Sequence, residues 1–100
     1  DEYIAEYQRA IELNPNHAFA HILLGVAYYT RDKDMLMAEK EIRQAIELSP
    51  QNKWAYYHLG EIYRQEGHID KARAMYERAL EIDPEFEAAQ KRLESLTNRH

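Results

Sequence analysis

The chain of 100 residues is 45% hydrophobic and 31% charged, enough apolar material for one thin core and too much for a disordered chain. A net charge of −5 argues against a binder that neutralises nucleic-acid phosphates, and the absence of cysteine excludes a disulfide scaffold, a thiol nucleophile and a cysteine zinc site while leaving the redox compartment open. No apolar run approaches the roughly 18 residues of a membrane span, and Asp1-Glu2-Tyr3 has neither the basic start nor the apolar stretch of a signal peptide.

Three glycines and three prolines leave few breaks, which favours long helices over a strand-and-turn architecture. Without an initiating methionine, and opening inside a helical pattern, the chain reads as a segment of a longer one. In chain order the pattern predicts helices over 2–13, 17–30, 35–48, 52–65, 69–82 and 86–97. The first ends in Arg9-Ala10-Ile11-Glu12-Leu13-Asn14-Pro15. The third ends in Gln44-Ala45-Ile46-Glu47-Leu48-Ser49-Pro50 and the fifth in Arg78-Ala79-Leu80-Glu81-Ile82-Asp83-Pro84, at spacings of 35 and 34 residues. The second and fourth helices share another motif, Leu24-Gly25 with Tyr28 and Leu59-Gly60 with Tyr63.

Two interleaved motifs in one register mark an internal repeat. Ala10, Ala45 and Ala79 are small enough for helices to approach closely. Proline ends each helix by lacking an amide hydrogen and by disfavouring helix in the residue before it. Asn14, Ser49 and Asp83 are expected to N-cap the following helices, with proline in the first position. Gly67-His68 predicts a tight helix–helix turn. The corresponding Arg31-Asp32-Lys33-Asp34 has no glycine and one extra residue, so a looser turn without left-handed backbone is expected there.

These motifs resemble the tetratricopeptide repeat, a pair of antiparallel helices repeating every 34 residues or so. Leu24, Gly25, Tyr28, Ala38, Ala45 and Pro50 match one unit. Leu59, Gly60, Tyr63, Gly67, Ala72, Tyr76, Ala79 and Pro84 match the next. In the first unit Ile42 replaces the usual aromatic. Tyr7, Ala10 and Pro15 match the second helix of a preceding repeat, and in the last helix Leu93 keeps the packing residue while Glu94 replaces the glycine. The resemblance implies an all-α, right-handed solenoid as one domain over 1–100: a half-repeat at 2–15, repeats at 16–50 and 51–84, and a capping helix at 85–98.

The search for chemistry yields little. No phosphate loop, nucleophile elbow or zinc-binding His-Glu-x-x-His is present, so no catalytic residue, cofactor or metal is expected. His17 and His21 stand four apart but lack a third ligand, and read as solvated first-turn residues. His58, His68 and His100 are ordinarily placed on a helix face, in a turn and at the terminus. Asp32 and Asp34 lack the spacing of a calcium loop. Glu12, Glu47 and Glu81 fall at one point of each repeat and read as a polar outer face.

In a stacked repeat the first helices line a concave face. After the packing positions are set aside, helical spacing leaves Phe19, Ile22, Val26 and Tyr29 on one stripe, and Trp54, Tyr57, Glu61 and Arg64 on the next. The last helix adds Ala88, Lys91, Ser95 and Asn98. Curvature is expected to bury Ile22 and Val26 before Trp54 and Tyr57. The expected function is a non-catalytic interaction module that binds a peptide or helix on this aromatic face. The alternative is self-association through helix 2–13, with Tyr3, Ile4 and Tyr7 exposed. The resemblance also implies that a chaperone-carboxylate clamp is absent: Ile22, Val26, Ala88 and His58 stand where the family's clamp is polar, and only Arg92 matches.

Overall fold

The computed structural model describes residues 2–97, with side chains from Tyr3 onward. Among these residues are six α-helices and no strand: α1 (Glu2–Leu13), α2 (Ala18–Asp32), α3 (Met35–Leu48), α4 (Lys53–Gln65), α5 (Ile69–Ile82) and α6 (Glu87–Thr97). Asn98 and His100, and with Asn98 the end of the expected capping segment, lie outside the described residues. The chain divides into two compact units, Asp1–Pro50 and Gln51–His100. In the first, α2 packs against α1 and α3; in the second, α5 packs against α4 and α6.

Each unit is built on a close crossing beneath a glycine. A Cβ at Gly25 would lie 2.8 Å from Ile42 Cγ1 and 2.9 Å from the Ala38 carbonyl oxygen. At Gly60 it would lie 2.8 Å from Tyr76 Cε1 and 3.3 Å from Met75 Cβ. The paired helices close on these points through Ala38, Ala45, Ala72 and Ala79, all fully buried. Leu24 and Leu59 are buried beside them, whereas Leu93 of α6 is only half-buried, and Ala89 and Leu96 carry that helix's packing.

The turns differ from expectation in a definite way. Lys33 is left-handed, at φ 54° and ψ 31°, so the extra residue of the first unit does not spare it that conformation. Eight residues separate Gly25 from Lys33 and seven separate Gly60 from Gly67, whereas five separate each left-handed residue from Ala38 or Ala72. The insertion is therefore absorbed in the last turn of α2, and the connection keeps its length. In both turns the closing amides bond back to the helix: Lys33 N–H to Tyr29 O at 2.9 Å, and His68 N–H to Tyr63 O at 2.8 Å. This is the usual way to satisfy carbonyls at a helix end, and it demands one left-handed residue.

The expected capping role of Asn14, Ser49 and Asp83 is also corrected. Their amides close the preceding helices, bonding Ala10 O at 3.0 Å, Ala45 O at 2.8 Å and Ala79 O at 3.0 Å. Asn14 and Asp83 then begin β-turns with proline second, their side chains accepting from Asn16 N–H at 3.2 Å and Glu85 N–H at 3.1 Å. Proline suits that turn position because its φ is already set. The next helices start later, with His17 and Asn52 as N-caps accepting from Ala20 N–H at 3.3 Å and Trp54 N–H at 3.0 Å.

Candidate partner-binding face

In the second unit, the first turn of α4 places Trp54 and Tyr57 over Phe86, the residue just before α6. The Trp54 and Phe86 rings meet edge-on at 4.9 Å, and Tyr57 lies 5.4 Å from Phe86 and 6.0 Å from Tyr76. Lys53 holds the edge of this cluster, with its ammonium 4.7 Å from the centre of the Phe86 ring and an ion pair to Asp83. Trp54 nevertheless remains 40% exposed, an unusual state for the largest apolar side chain of so small a unit. Beside Tyr57 opens a cleft of about 440 Å³ lined by Tyr57, Glu87, Ala88, Lys91 and Arg92.

One turn further along α4, Glu61 is the centre of a polar network. Its Oε2 accepts from Arg64 Nη2 at 2.8 Å; its Oε1 accepts from Arg92 Nε at 2.6 Å and from the Tyr76 hydroxyl at 3.2 Å. Burial pushes the Glu61 carboxyl up, but the hydrogen bonds and charges of Arg64 and Arg92 outweigh it and hold the carboxyl below its ordinary range. Burial, followed by the Glu61 charge, raises the hydroxyls of both Tyr57 and Tyr76, so both remain protonated donors at neutral pH. Burial also lowers His58, which stacks 6.2 Å from Trp54. Arg64 and Glu61 thus pair with each other, and Arg92 anchors α6 to α4. Lys91 and Ser95 are exposed, and Ala88 is half-buried.

The α2 stripe of the first unit divides. Ile22 has 0% and Tyr29 5% exposure, so both serve the core, with Lys33 lying 4.7 Å over the Tyr29 ring. Phe19 is 46% exposed. Val26 is half-buried and lines a different cleft, between α2 and α1.

The histidine pair divides: His17 is exposed, as expected, and His21 is not. His21 is buried, with Nδ1 2.9 Å from Glu41 Oε1 and Nε2 3.0 Å from the Pro15 carbonyl oxygen, while His17 caps α2. Asp34 N-caps α3, accepting from Met37 N–H at 3.1 Å, and Asp32 lies beside Arg31. Glu81 pairs with Arg78 at 2.6 Å on the exposed side of α5. Among the described residues, no group of three or more histidines and carboxylates is placed to hold a metal, and no helix is long and apolar enough to cross a membrane. Ile4, expected at the surface of α1, is buried.

Phe86 and the Glu61 network escape the stripe argument. Phe86 stands in the register of His17 and Asn52, where the other first helices carry a polar cap, so an aromatic there is the legible signal. The bonds from Arg92 and Tyr76 to Glu61 join residues 31 and 15 apart in sequence, beyond the reach of helical spacing.

Models of the tetratricopeptide repeat match residues 20–52 and 54–86, and a TPR-repeat model matches residues 1–31. No curated protein sequence matches the chain. Among solved structures it is similar to the protein MamA, with 30% identity, a TM-score of 0.81, and coverage of 93% of this chain and 54% of that one. It is also similar to YrrB, described as a TPR protein with an unusual peptide-binding site, at 25% identity and TM-score 0.82, over 91% of this chain and 46% of that one. The first TPR of Spaghetti (RPAP3), bound to the HSP90 peptide SRMEEVD, shares the fold at 23% identity and TM-score 0.83, over 96% of this chain and 78% of that one. The chain thus spans about half the length of MamA and YrrB.

Proposed function

The chain belongs to the tetratricopeptide-repeat family, generally a non-catalytic protein-interaction module, and on that premise we propose that it binds an extended peptide or a short helix on the face shared by α4 and α6. The observation that carries this reading is the exposed Trp54 indole beside the cleft of Tyr57, Ala88, Lys91 and Arg92. An exposed tryptophan next to a half-buried tyrosine combines a large apolar contact with low ordering entropy, the profile of an interface anchor. The peptide carried by RPAP3 and the peptide site ascribed to YrrB support the mode of binding. They do not carry over the ligand: Arg92, the one residue matching the chaperone clamp, is engaged by Glu61 at 2.6 Å. Exposed Lys91 adds a cation at the rim, which acts mostly on association rate. Phe19, the exposed member of the α2 stripe, belongs to the other unit and is proposed as a separate apolar contact of that unit.

Trp54 and Tyr57 also pack on Phe86, so replacing both by alanine confounds binding with stability. A peptide-display selection on the whole chain, followed by affinity measurement on Ala88→Trp and Lys91→Glu, separates the two. Filling the cleft with Ala88→Trp should weaken selected peptides at least about tenfold, with helicity unchanged by circular dichroism. Peptides that bind Ala88→Trp as tightly as the parent protein would rule the cleft out.

A further inference from the structure

We propose that the first unit binds an arginine side chain of a partner protein, in a cleft of about 280 Å³ between α1, α2 and α3. The cleft is bounded by residues 8–41 alone and does not depend on the α4–α6 face. Its floor is apolar, with buried Leu24 and half-buried Ile11 beside the half-buried ring of Tyr28. Above the floor stand acceptors. Glu12 is exposed and makes no hydrogen bond or ion pair among the described residues. Glu41, whose side chain is only 16% exposed, faces His21 through Oε1 and leaves Oε2 without a partner. Gln8 donates its amide nitrogen to the Tyr28 hydroxyl at 3.0 Å, which leaves its carbonyl oxygen open. Among the described residues no lysine or arginine lines the cleft.

The repeat itself does not require these carboxylates. His21 and Glu41 stand in the register of Tyr56 and Met75, so the second unit builds the same crossing without a carboxylate at that place. Arg9 and Glu12 likewise stand in the register of Arg78 and Glu81. Arg78 and Glu81 close on each other at 2.6 Å, whereas Arg9 and Glu12, at the same spacing, do not bond, and Glu12 lines the cleft instead. The last turn of α1 holds no basic residue, so the Glu12 carboxylate lies at the negative end of the helix dipole, where it costs stability until a cation meets it. His21, held at its other nitrogen by the Pro15 carbonyl at 3.0 Å, fixes the Glu41 carboxylate beside the cleft. A cation on a long apolar stem matches acceptors above an apolar floor. Arginine suits the site better than lysine, because its planar fork serves two carboxylates at once and stacks on an aromatic face such as that of Tyr28.

The probe is the capped tripeptide Ala-Arg-Ala, added to the isotopically labelled full chain at about 150 mM salt, which screens loose surface attraction. Heteronuclear NMR should show saturable amide shifts at Gln8, Glu12, His21, Tyr28 and Glu41, with a dissociation constant of about 1 mM or lower. The citrulline analogue keeps the shape and loses the charge, and should bind at least about tenfold more weakly. The lysine analogue should bind more weakly than the arginine peptide. In the protein, Glu12→Gln changes an exposed residue outside the core and should weaken binding at least about fivefold. His21→Tyr combined with Glu41→Met installs the residues that the second unit carries in that register, and should abolish binding with helicity unchanged by circular dichroism. The proposal is overturned by no binding at about 10 mM peptide, by equal affinity for the citrulline analogue, or by parent-like affinity in Glu12→Gln. Shifts centred on exposed acids elsewhere, such as Asp70, would also overturn it, as attraction without a site.

Discussion

The helices α2 and α4 occupy one register yet solve the same problem with different chemistry. Where α4 has Glu61 and Arg64 tied to Tyr76 and Arg92, α2 has Val26 and Tyr29, half-buried and buried. Beneath Gly60 lies the flat ring of Tyr76; beneath Gly25 lies Ile42, and the backbone carbonyl of Ala38 comes to within 2.9 Å of where a Cβ would sit. A thinner aliphatic side chain thus permits closer backbone approach. The first unit also places its buried polar pair elsewhere, between His21 and Glu41. The repeat prescribes the crossing and its small residues. It leaves free which groups fill the space around it.

The largest effect should follow from filling the crossings. Gly60→Leu and Gly25→Leu each force a side chain into space already occupied, at a cost on the order of 1–3 kcal/mol or more. Denaturant unfolding should also show Gly25→Ala to be at least as damaging as Gly60→Ala, because one of its obstacles is a backbone carbonyl. Unfolding midpoints close to the parent's for both leucine variants would show that the crossings are loose.

The two turns offer a sharper contrast. Gly67, at φ 82° with nothing within 4 Å of a Cβ, is needed only for its conformation, so Gly67→Ala should cost roughly 1 kcal/mol. Lys33 bears the same strain already. Lys33→Gly should therefore be more stable than Lys33→Ala by about 1 kcal/mol, both lacking the contact with Tyr29. Equal stabilities would contradict the left-handed assignment. Asp34 N-caps α3, whereas the corresponding His68 makes no side-chain cap bond; thermal melts should show a loss of about 1 kcal/mol for Asp34→Ala and a smaller loss for His68→Ala.

The smallest expected effect is electrostatic. Glu61 is held below the ordinary carboxyl value of about 4.5 in the folded chain, so the unfolded chain takes up its proton at higher pH. The stability contributed by Glu61 is present above about 4.5 and is lost as pH falls through the lower folded value. His58, also lowered in the fold, begins to cost stability below about 6.5. Acid titration of Glu61→Gln should lack the lower of these losses. A parent-like acid limb in that variant would remove the network from the stability of α6.

Most of the fold is legible because glycine, alanine and proline repeat where helices cross and end. The left-handed Lys33 is not, since an inserted residue can lengthen either a helix or a turn, and only the return of the chain to Ala38 decides which. The capping error has the same origin: Asn14-Pro15 and Asp83-Pro84 suit a β-turn as well as an N-cap. For the candidate site, helical spacing finds the stripe of Trp54 and Tyr57 but not its cover. Phe86 reaches them from beyond the next helix, and Ile22 and Tyr29 are buried although their spacing matches that of exposed residues.

The central claim is that the exposed indole of Trp54 meets the partner. Trp54 is the only tryptophan in the chain, so its indole Nε1–H gives a single isolated proton resonance. Titration with a peptide selected on the whole chain should move that resonance saturably, with the same dissociation constant as calorimetry, and Ala88→Phe, which fills the cleft without adding a second indole, should weaken both readouts together. Calorimetric binding that leaves the Trp54 indole resonance in place would contradict the account.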